Sequence, residues 1–132
     1  MNQATVDKMI VEHEQWLDDH ETGNRADFSN LDLSSNSFAY HDLSYAIFDG
    51  ANLSRADFED DILNGTSFVG AIMIATDLSY AAMFGTDFQY AELTNAFVDD
   101  IYGAGVDFRH CLIDDFEEIS QHISDARFDD EV

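Results

Sequence analysis

The sequence predicts an all-β solenoid, and three observations carry that expectation. Phenylalanine occupies positions 28, 48, 68, 88, 108 and 128, one every 20 residues. Taking every fifth residue from Phe28 to Phe128 gives a column in which nineteen of twenty-one positions are large and apolar, Gly103 and Glu118 being the exceptions. Two places earlier the residue is usually small, as at Ala26, Ala46, Ala51, Ala56, Thr66, Ala71 and Ala81. A period of five matches neither the helix repeat of ~3.6 nor the strand repeat of ~2. It suits a coil that turns a corner every five residues, with one large and one small side chain facing inward along each wall. Four walls make a turn of 20 residues, which accounts for the phenylalanine column. Such turns are stable only when stacked, because one unit cannot bury its own apolar side chain. The stretch from Ala26 to Asp130 holds about five coils.

Ahead of the coil, Thr5 to Asp19 reads as a helix, with Val6, Met9, Ile10, His13, Trp16 and Leu17 recurring at helical spacing. Thr5 is the expected N-cap, Asp7 lies favourably against the helix dipole, and Gly23 ends the segment. A solenoid leaves open backbone and apolar core at its ends. The predicted organisation is therefore an N-terminal capping helix over residues 1–22, with Trp16 as its heaviest apolar residue, and a solenoid over residues 23–132. The competing use of such a helix is to grip a partner. The absence of proline suits backbone N–H groups that must pair between coils. Ser29, Ser34, Ser44, Ser54, Ser79, Thr94 and Ser124 mark the corners. The repeat weakens late, predicting a bulge or an irregular last coil between Asp99 and Ser120.

Charge restricts the function. There are 28 acidic against 5 basic residues, a net charge of -23, while 45% of residues are apolar and recur in register, which favours order over disorder. Such a chain repels nucleic acid and anionic membrane and suits a partner with a basic surface. The single cysteine, Cys111, excludes an internal disulfide and points to a reducing compartment. No apolar run approaches the ~20 residues of a membrane span. The expected location is the cytoplasm.

Ala26-Asp27-Phe28-Ser29-Asn30, Ala51-Asn52-Leu53-Ser54-Arg55 and Ala56-Asp57-Phe58-Glu59-Asp60 resemble the repeats of the pentapeptide-repeat family. The lead-in from Ile10 to Leu17, followed by Gly23 to Phe28, is similar to that of bacterial and phage members. The resemblance implies a right-handed quadrilateral parallel β-helix with an N-terminal α-helical cap. It also implies an acidic rod that imitates duplex DNA in the basic groove of a DNA-binding protein inside a bacterial host cell. A phage-type counter-defence protein, directed at a CRISPR effector or a restriction enzyme, is the leading expectation. A gyrase-binding protein and a non-mimic interaction scaffold are the alternatives. The chain is shorter than the gyrase-binding members and lacks their C-terminal dimerisation helix.

Assigning pentads to walls makes the charge uneven. The wall of Phe38, Phe58, Leu78, Val98 and Glu118 carries Asp57, Glu59, Asp60, Asp77, Asp99, Asp100, Glu117 and Glu118 and no base. The Leu33 wall holds Asp32, Glu92, Asp114 and Asp115 with Arg55. The Phe28 wall holds Asp27, Asp49, Asp87, Asp107, Asp129 and Asp130 with Arg109 and Arg127. The Leu43 wall has only Asp42, Asp61 and Asp125. About five coils at ~4.8 Å span roughly 25 Å, over which duplex DNA carries about 15 charges. The walls carry about 18 net negative charges, a comparable density. The predicted partner-binding residues are Asp57, Glu59, Asp60, Asp77, Asp99, Asp100, Asp114, Asp115, Glu117 and Glu118. The acid-poor wall turns Tyr45, Ile62, Ala82, Phe84, Tyr102 and Ala104 outward, so the chain is read as a monomer or as a dimer through this apolar wall.

Catalytic chemistry is not expected. Cys111 falls in a small inward position, where an inert thiol is the natural state. His13, His20, His41, His110 and His122 have no metal-ligand spacing, and the run from Asp57 to Asp61 lacks the order of a calcium loop. No catalytic residue, cofactor or dedicated metal site is predicted, although divalent cations could associate weakly with the acidic wall.

Overall fold

The structure, a computed structural model, describes residues 1–129. Its backbone is held by parallel bridges between residues twenty positions apart. One series runs Asp27, Ile47, Ser67, Asp87, Asp107 and Arg127, and parallel series begin at Asp32, Ser37 and Asp42. On the fourth wall the bridges widen into three short parallel strands, β1 (Ala82–Phe84), β2 (Tyr102–Ala104) and β3 (Ile123–Ser124). Asp130, expected on the Phe28 wall, lies outside the described residues.

Each wall is short because the chain bends after every pentad. Ala51 N–H donates to Phe48 O at 3.0 Å, and Ala56 N–H donates to Leu53 O at 2.9 Å. The fifth residue takes a positive φ, as at Asn30 (61°) and Asp60 (57°), the mark of a type II turn. The expected corner serines stand one residue before this bend. Tyr40, Tyr45, Tyr80 and Tyr90 also occupy the left-handed position. Each costs about 1–2 kcal/mol of backbone strain, offset by hydrogen bonds to the next coil such as Tyr40 N–H to Glu59 O at 3.0 Å.

The core is the predicted column. Phe28, Phe48, Phe68, Phe88, Phe108 and Phe128 stack face to face, with successive centroids 4.9, 5.1, 5.0, 5.3 and 5.3 Å apart. Phe38 and Phe58 stack beside them at 4.8 Å and meet the first column edge-on. Where threonine replaces alanine in the small inward position, its hydroxyl is satisfied. Thr66, Thr76 and Thr86 donate to the carbonyls of Leu43, Leu53 and Leu63 at 2.8, 2.7 and 2.6 Å. Gly103 replaces a large residue because a Cβ there would run into the Met83 carbonyl of the coil below.

The N-terminal helix, α1, spans Gln3–Asp18, and its N-cap is Asn2 rather than Thr5. The Asn2 side chain accepts from Ala4 N–H at 2.8 Å, a strong capping arrangement. Val6, Ile10 and His13 are the buried face, whereas Trp16 stays half-exposed, stacked on His20 at 4.2 Å with Arg25 over its ring. The helix supplies the first coil with hydrogen-bond partners that a preceding coil would have provided. The Gln3 amide accepts from Ser37 N–H at 2.9 Å and donates to Ser37 O at 2.7 Å. The His13 ring joins Ala26 N–H to Ser44 O, with 2.9 Å on each side. None of the described helices is long and apolar enough to cross a membrane.

The irregular stretch is more local than 99–120. Asp107 and Leu112 still bridge to Asp87 and Glu92, and the chain leaves the coil only for helix α2, Phe116–His122. Burying Glu118 in the apolar column would strand a charge. Ile119 is the buried residue of α2, and Glu118 sits 3.2 Å from His122.

Candidate acidic interface

Many of the acids serve the corners. The residue just before each large inward side chain faces outward, and its carboxylate accepts the backbone N–H two residues on. Asp57 accepts from Glu59 at 2.9 Å, Asp77 from Ser79 at 2.9 Å, Asp87 from Gln89 at 3.0 Å, and Asp107 from Arg109 at 3.1 Å. Asn52 performs the same task for Ser54 at 3.1 Å without a charge. This is the local side-chain-to-backbone turn that Asp and Asn favour. At Asp27 and Asp32 the Ser29 and Ser34 hydroxyls also donate, and with the backbone N–H groups they hold both carboxyls below the usual range. Other acids reach along the axis. Asp49 accepts from Val69 N–H at 3.2 Å and Asp114 from Asn95 N–H at 2.9 Å, a position where Asn64 does likewise for Phe84. Asn52 and Asn64, alternating with aspartate in the repeat, were the sequence signal for this structural role.

Of the predicted contact residues, Asp57, Glu59, Asp60 and Asp77 share one wall, through the Ser37, Asp57, Asp77 and Phe97 bridges. Asp57, Glu59 and Asp77 each offer a carboxylate oxygen, and all three lie within 4.8 Å of one another. Loss of hydration, then the charges of Asp77, Asp57 and Asp60, push the Glu59 carboxyl upward. Glu59 in turn raises the Tyr40 phenol. A group so crowded gains from a nearby cation, either a guanidinium or a divalent ion bridging the three oxygens. Exposed acids often stand close without any ion.

Asp99 and Asp100 follow on the same wall, exposed, and their side chains make no hydrogen bond among the described residues. Asp114 and Asp115 are exposed on the Leu33 wall, the first tied to Asn95 and the second at the start of α2. Glu117 and Glu118 do not continue the anionic wall, whose last bridge is at Phe97 and whose last acids are Asp99 and Asp100, because α2 replaces the next coil. Asp61 is not outward at all. It fills a small inward position at 1% exposure, accepts from His41 N–H at 2.8 Å, and leaves Oδ2 without a partner. Burial pushes its carboxyl up to about 9, opposed by the His41 bond and reinforced by Asp57, Glu14 and Asp42. Ala82, also expected outward, is buried, its methyl being flanked on the adjoining coils by Ile62 and Tyr102.

Nucleophilic chemistry finds no support in the geometry of Cys111, whose thiol is half-buried and pushed up to about 12, mainly by burial. His110, its neighbour, turns outward and stacks on Tyr90 at 4.7 Å. Arg109 is committed to Asp107 at 2.8 Å.

Residues 51–89 match the family model for pentapeptide repeats, in eight copies. This segment of the chain is built of pentapeptide repeats. The chain is similar in structure to a pentapeptide repeat protein from the thylakoid lumen of Arabidopsis thaliana, at 25% identity and TM-score 0.58, covering 75% of this chain and 61% of that one. This chain therefore spans less than two thirds of that protein. HetL, involved in heterocyst differentiation regulation in Nostoc, aligns at 28% identity and TM-score 0.43 over 79% of this chain and 45% of its own. QnrB1, a plasmid-mediated fluoroquinolone resistance protein, aligns at 15% identity and TM-score 0.39 over 81% of this chain and 86% of its own. No curated protein sequence matches the chain. The likeness to the Arabidopsis protein implies the right-handed quadrilateral β-helix, with which the twenty-residue bridges agree.

Proposed function

We propose that this protein imitates duplex DNA and occupies the basic DNA-binding groove of another protein. The supporting observation is the wall on which Asp57, Glu59 and Asp77 crowd together, with exposed Asp60, Asp99 and Asp100 beside them and no base in the same register. A net charge of -23 far exceeds the ~2–8 that keeps a small domain soluble. Arginine and lysine that normally hold phosphates would meet these carboxylates partly desolvated, where charge-assisted bonds are strongest. Asp57 and Asp77 keep their turn bonds and present the remaining carboxylate oxygen outward; Asp60, Asp99 and Asp100 are wholly available. The N-terminal segment of residues 1–22, with helix α1, acts as a cap for the coil rather than as the contact.

The target class is a phage counter-defence one, a CRISPR effector or a restriction enzyme, with gyrase as the second candidate. The role is inhibition by occupancy, without catalysis. Competition decides it. Each candidate enzyme is loaded with fluorescent duplex DNA and titrated with the protein at rising salt. Displacement of DNA, weakening steeply between about 50 and 300 mM salt, is expected. Reversing Asp99 and Asp100 to lysine should abolish displacement. Reversing Asp18, the last residue of α1, and Glu21 just beyond it, both exposed, should matter little. Equal damage from both pairs would reduce the effect to net charge and refute the site. Salt-independent binding would refute imitation and favour a scaffold.

A further inference from the structure

We infer that the protein carries a second contact surface, an apolar stripe fitted to an amphipathic helix of a partner whose lysines or arginines line one flank. It lies on the wall of Leu43, Leu63 and Met83 and stands independently of the DNA-imitation reading. Tyr45, Ile62, Phe84 and Tyr102 come from four successive coils and are 39–53% exposed, far more than the alanine between them. Bridges from Asp42 to Ile62 to Ala82 to Tyr102 put them on one wall, and the Phe84 and Tyr102 rings meet edge-on at 6.4 Å. At ~4.8 Å per coil the stripe is roughly 15–20 Å long. A helix rising ~1.5 Å per residue covers that length in about 10–13 residues.

The two margins of the stripe differ, and this selects the occupant. One margin is the corner row Tyr40, Asp60, Tyr80 and Asp100, with Asp57, Glu59, Asp77 and Asp99 beyond it. The other is the corner row Gly65, Gly85 and Gly105; the Tyr45 ring covers Gly65, whereas the space over Gly85 and Gly105 is open and a helix could approach the backbone closely there. An apolar face with cations along a single edge complements this surface. A second copy of the chain does not, because its own acidic row would be brought alongside the first within the ~8 Å screening length at physiological salt.

The test uses a fluorescein-labelled 14-residue leucine/lysine peptide designed as a helix with a leucine face and lysines on one flank. Fluorescence anisotropy at about 150 mM salt should show micromolar binding. A peptide with serine for leucine should bind at least tenfold more weakly. The double variant Phe84→Ser/Tyr102→Ser, which leaves net charge unchanged, should lose at least tenfold. Hydrogen exchange on the unaltered protein should show peptide-dependent protection at residues 62–64, 84 and 102, a readout that does not require a variant to fold. Absence of binding, equal binding of the serine peptide, or protection confined to the acidic wall would overturn the proposal. So would a dimer of the unaltered protein, by sedimentation, that the double variant dissolves. DNA displacement by Phe84→Ser/Tyr102→Ser separates this surface from the acidic one, since imitation alone should survive the change.

Discussion

Replacing Asp61 with asparagine should stabilise the protein at neutral pH. The carboxyl sits at 1% exposure in a position where the pattern places alanine, and its proton is held up to about 9 against an ordinary value of 3.8. The folded state therefore keeps this group neutral while the unfolded chain ionises it. Because the folded pKa is raised, the stability it permits is complete below about 4 and is lost as pH rises toward about 9, at about 1.4 kcal/mol per pH unit. At pH 7 the accumulated cost is about 4 kcal/mol. The asparagine amide would retain an acceptor for His41 N–H and merely exchange one unpartnered atom for another, so a gain of about 2–4 kcal/mol is expected. That corresponds to a rise in Tm of roughly 10 °C in a chain of this size. Urea or thermal unfolding of both proteins from pH 4 to 9 measures it. The two curves should coincide near pH 4 and diverge steadily above it. Parallel curves through pH 5–8 would show that Asp61 is solvated and charged, and the reasoning would be wrong.

Three further perturbations follow from the packing. Phe68→Ala removes a ring stacked between Phe48 and Phe88 and should cost roughly 3–5 kcal/mol in chemical unfolding. Gly103→Ala should destabilise sharply, since the methyl meets the Met83 backbone rather than a movable side chain, and calorimetry should show either a large fall in Tm or no folded protein. His13 is buried with both ring nitrogens engaged, and burial holds its pKa below 6.5 despite Asp42 and Glu14 nearby. Its contribution is complete above pH 6.5 and is lost as pH falls, so the hydrogen-exchange protection factors of α1, corrected for the intrinsic rate, should fall toward pH 5, and His13→Gln should remove that pH dependence.

Periodicity made the interior legible and the surface much less so. The phenylalanine column followed from spacing because stacking requires the same residue type at the same place on every coil. Asp61 was counted with the charges of the Leu43 wall although it stands two places before Leu63, in the small inward position, and the structure buries it there. In fact the corner after Phe38 lacks its ordinary partner for His41 N–H, and the Asp61 carboxyl from the next coil supplies one. Trp16 was overrated for a similar reason. Its size suggested a lid, but the first coil needs both donors and acceptors at its open edge, which Gln3 and His13 each supply, whereas an indole can only donate. Helix α2 was visible only as a loss of register, since its seven residues are too few for a helical period to emerge from a five-residue background.

The same distinction bears on how the acidity is understood. An aspartate that accepts its own turn N–H would be kept whether or not the protein ever met a partner, because Asn52 shows that the corner needs the oxygen and not the charge. Selection for structure alone could therefore fill those positions with asparagine and remove a share of the net charge of -23. It has instead placed aspartate at Asp27, Asp32, Asp42, Asp57, Asp77, Asp87 and Asp107. Crowding on the Asp57–Glu59–Asp77 face is then an added electrostatic cost that the fold does not require. Changing Asp57 and Asp77 to asparagine should accordingly leave the Tm equal or higher in low salt while weakening displacement of DNA from the target. A fall in stability with unchanged displacement would assign the charges to the fold, and the acidic wall would lose its claim as a binding face.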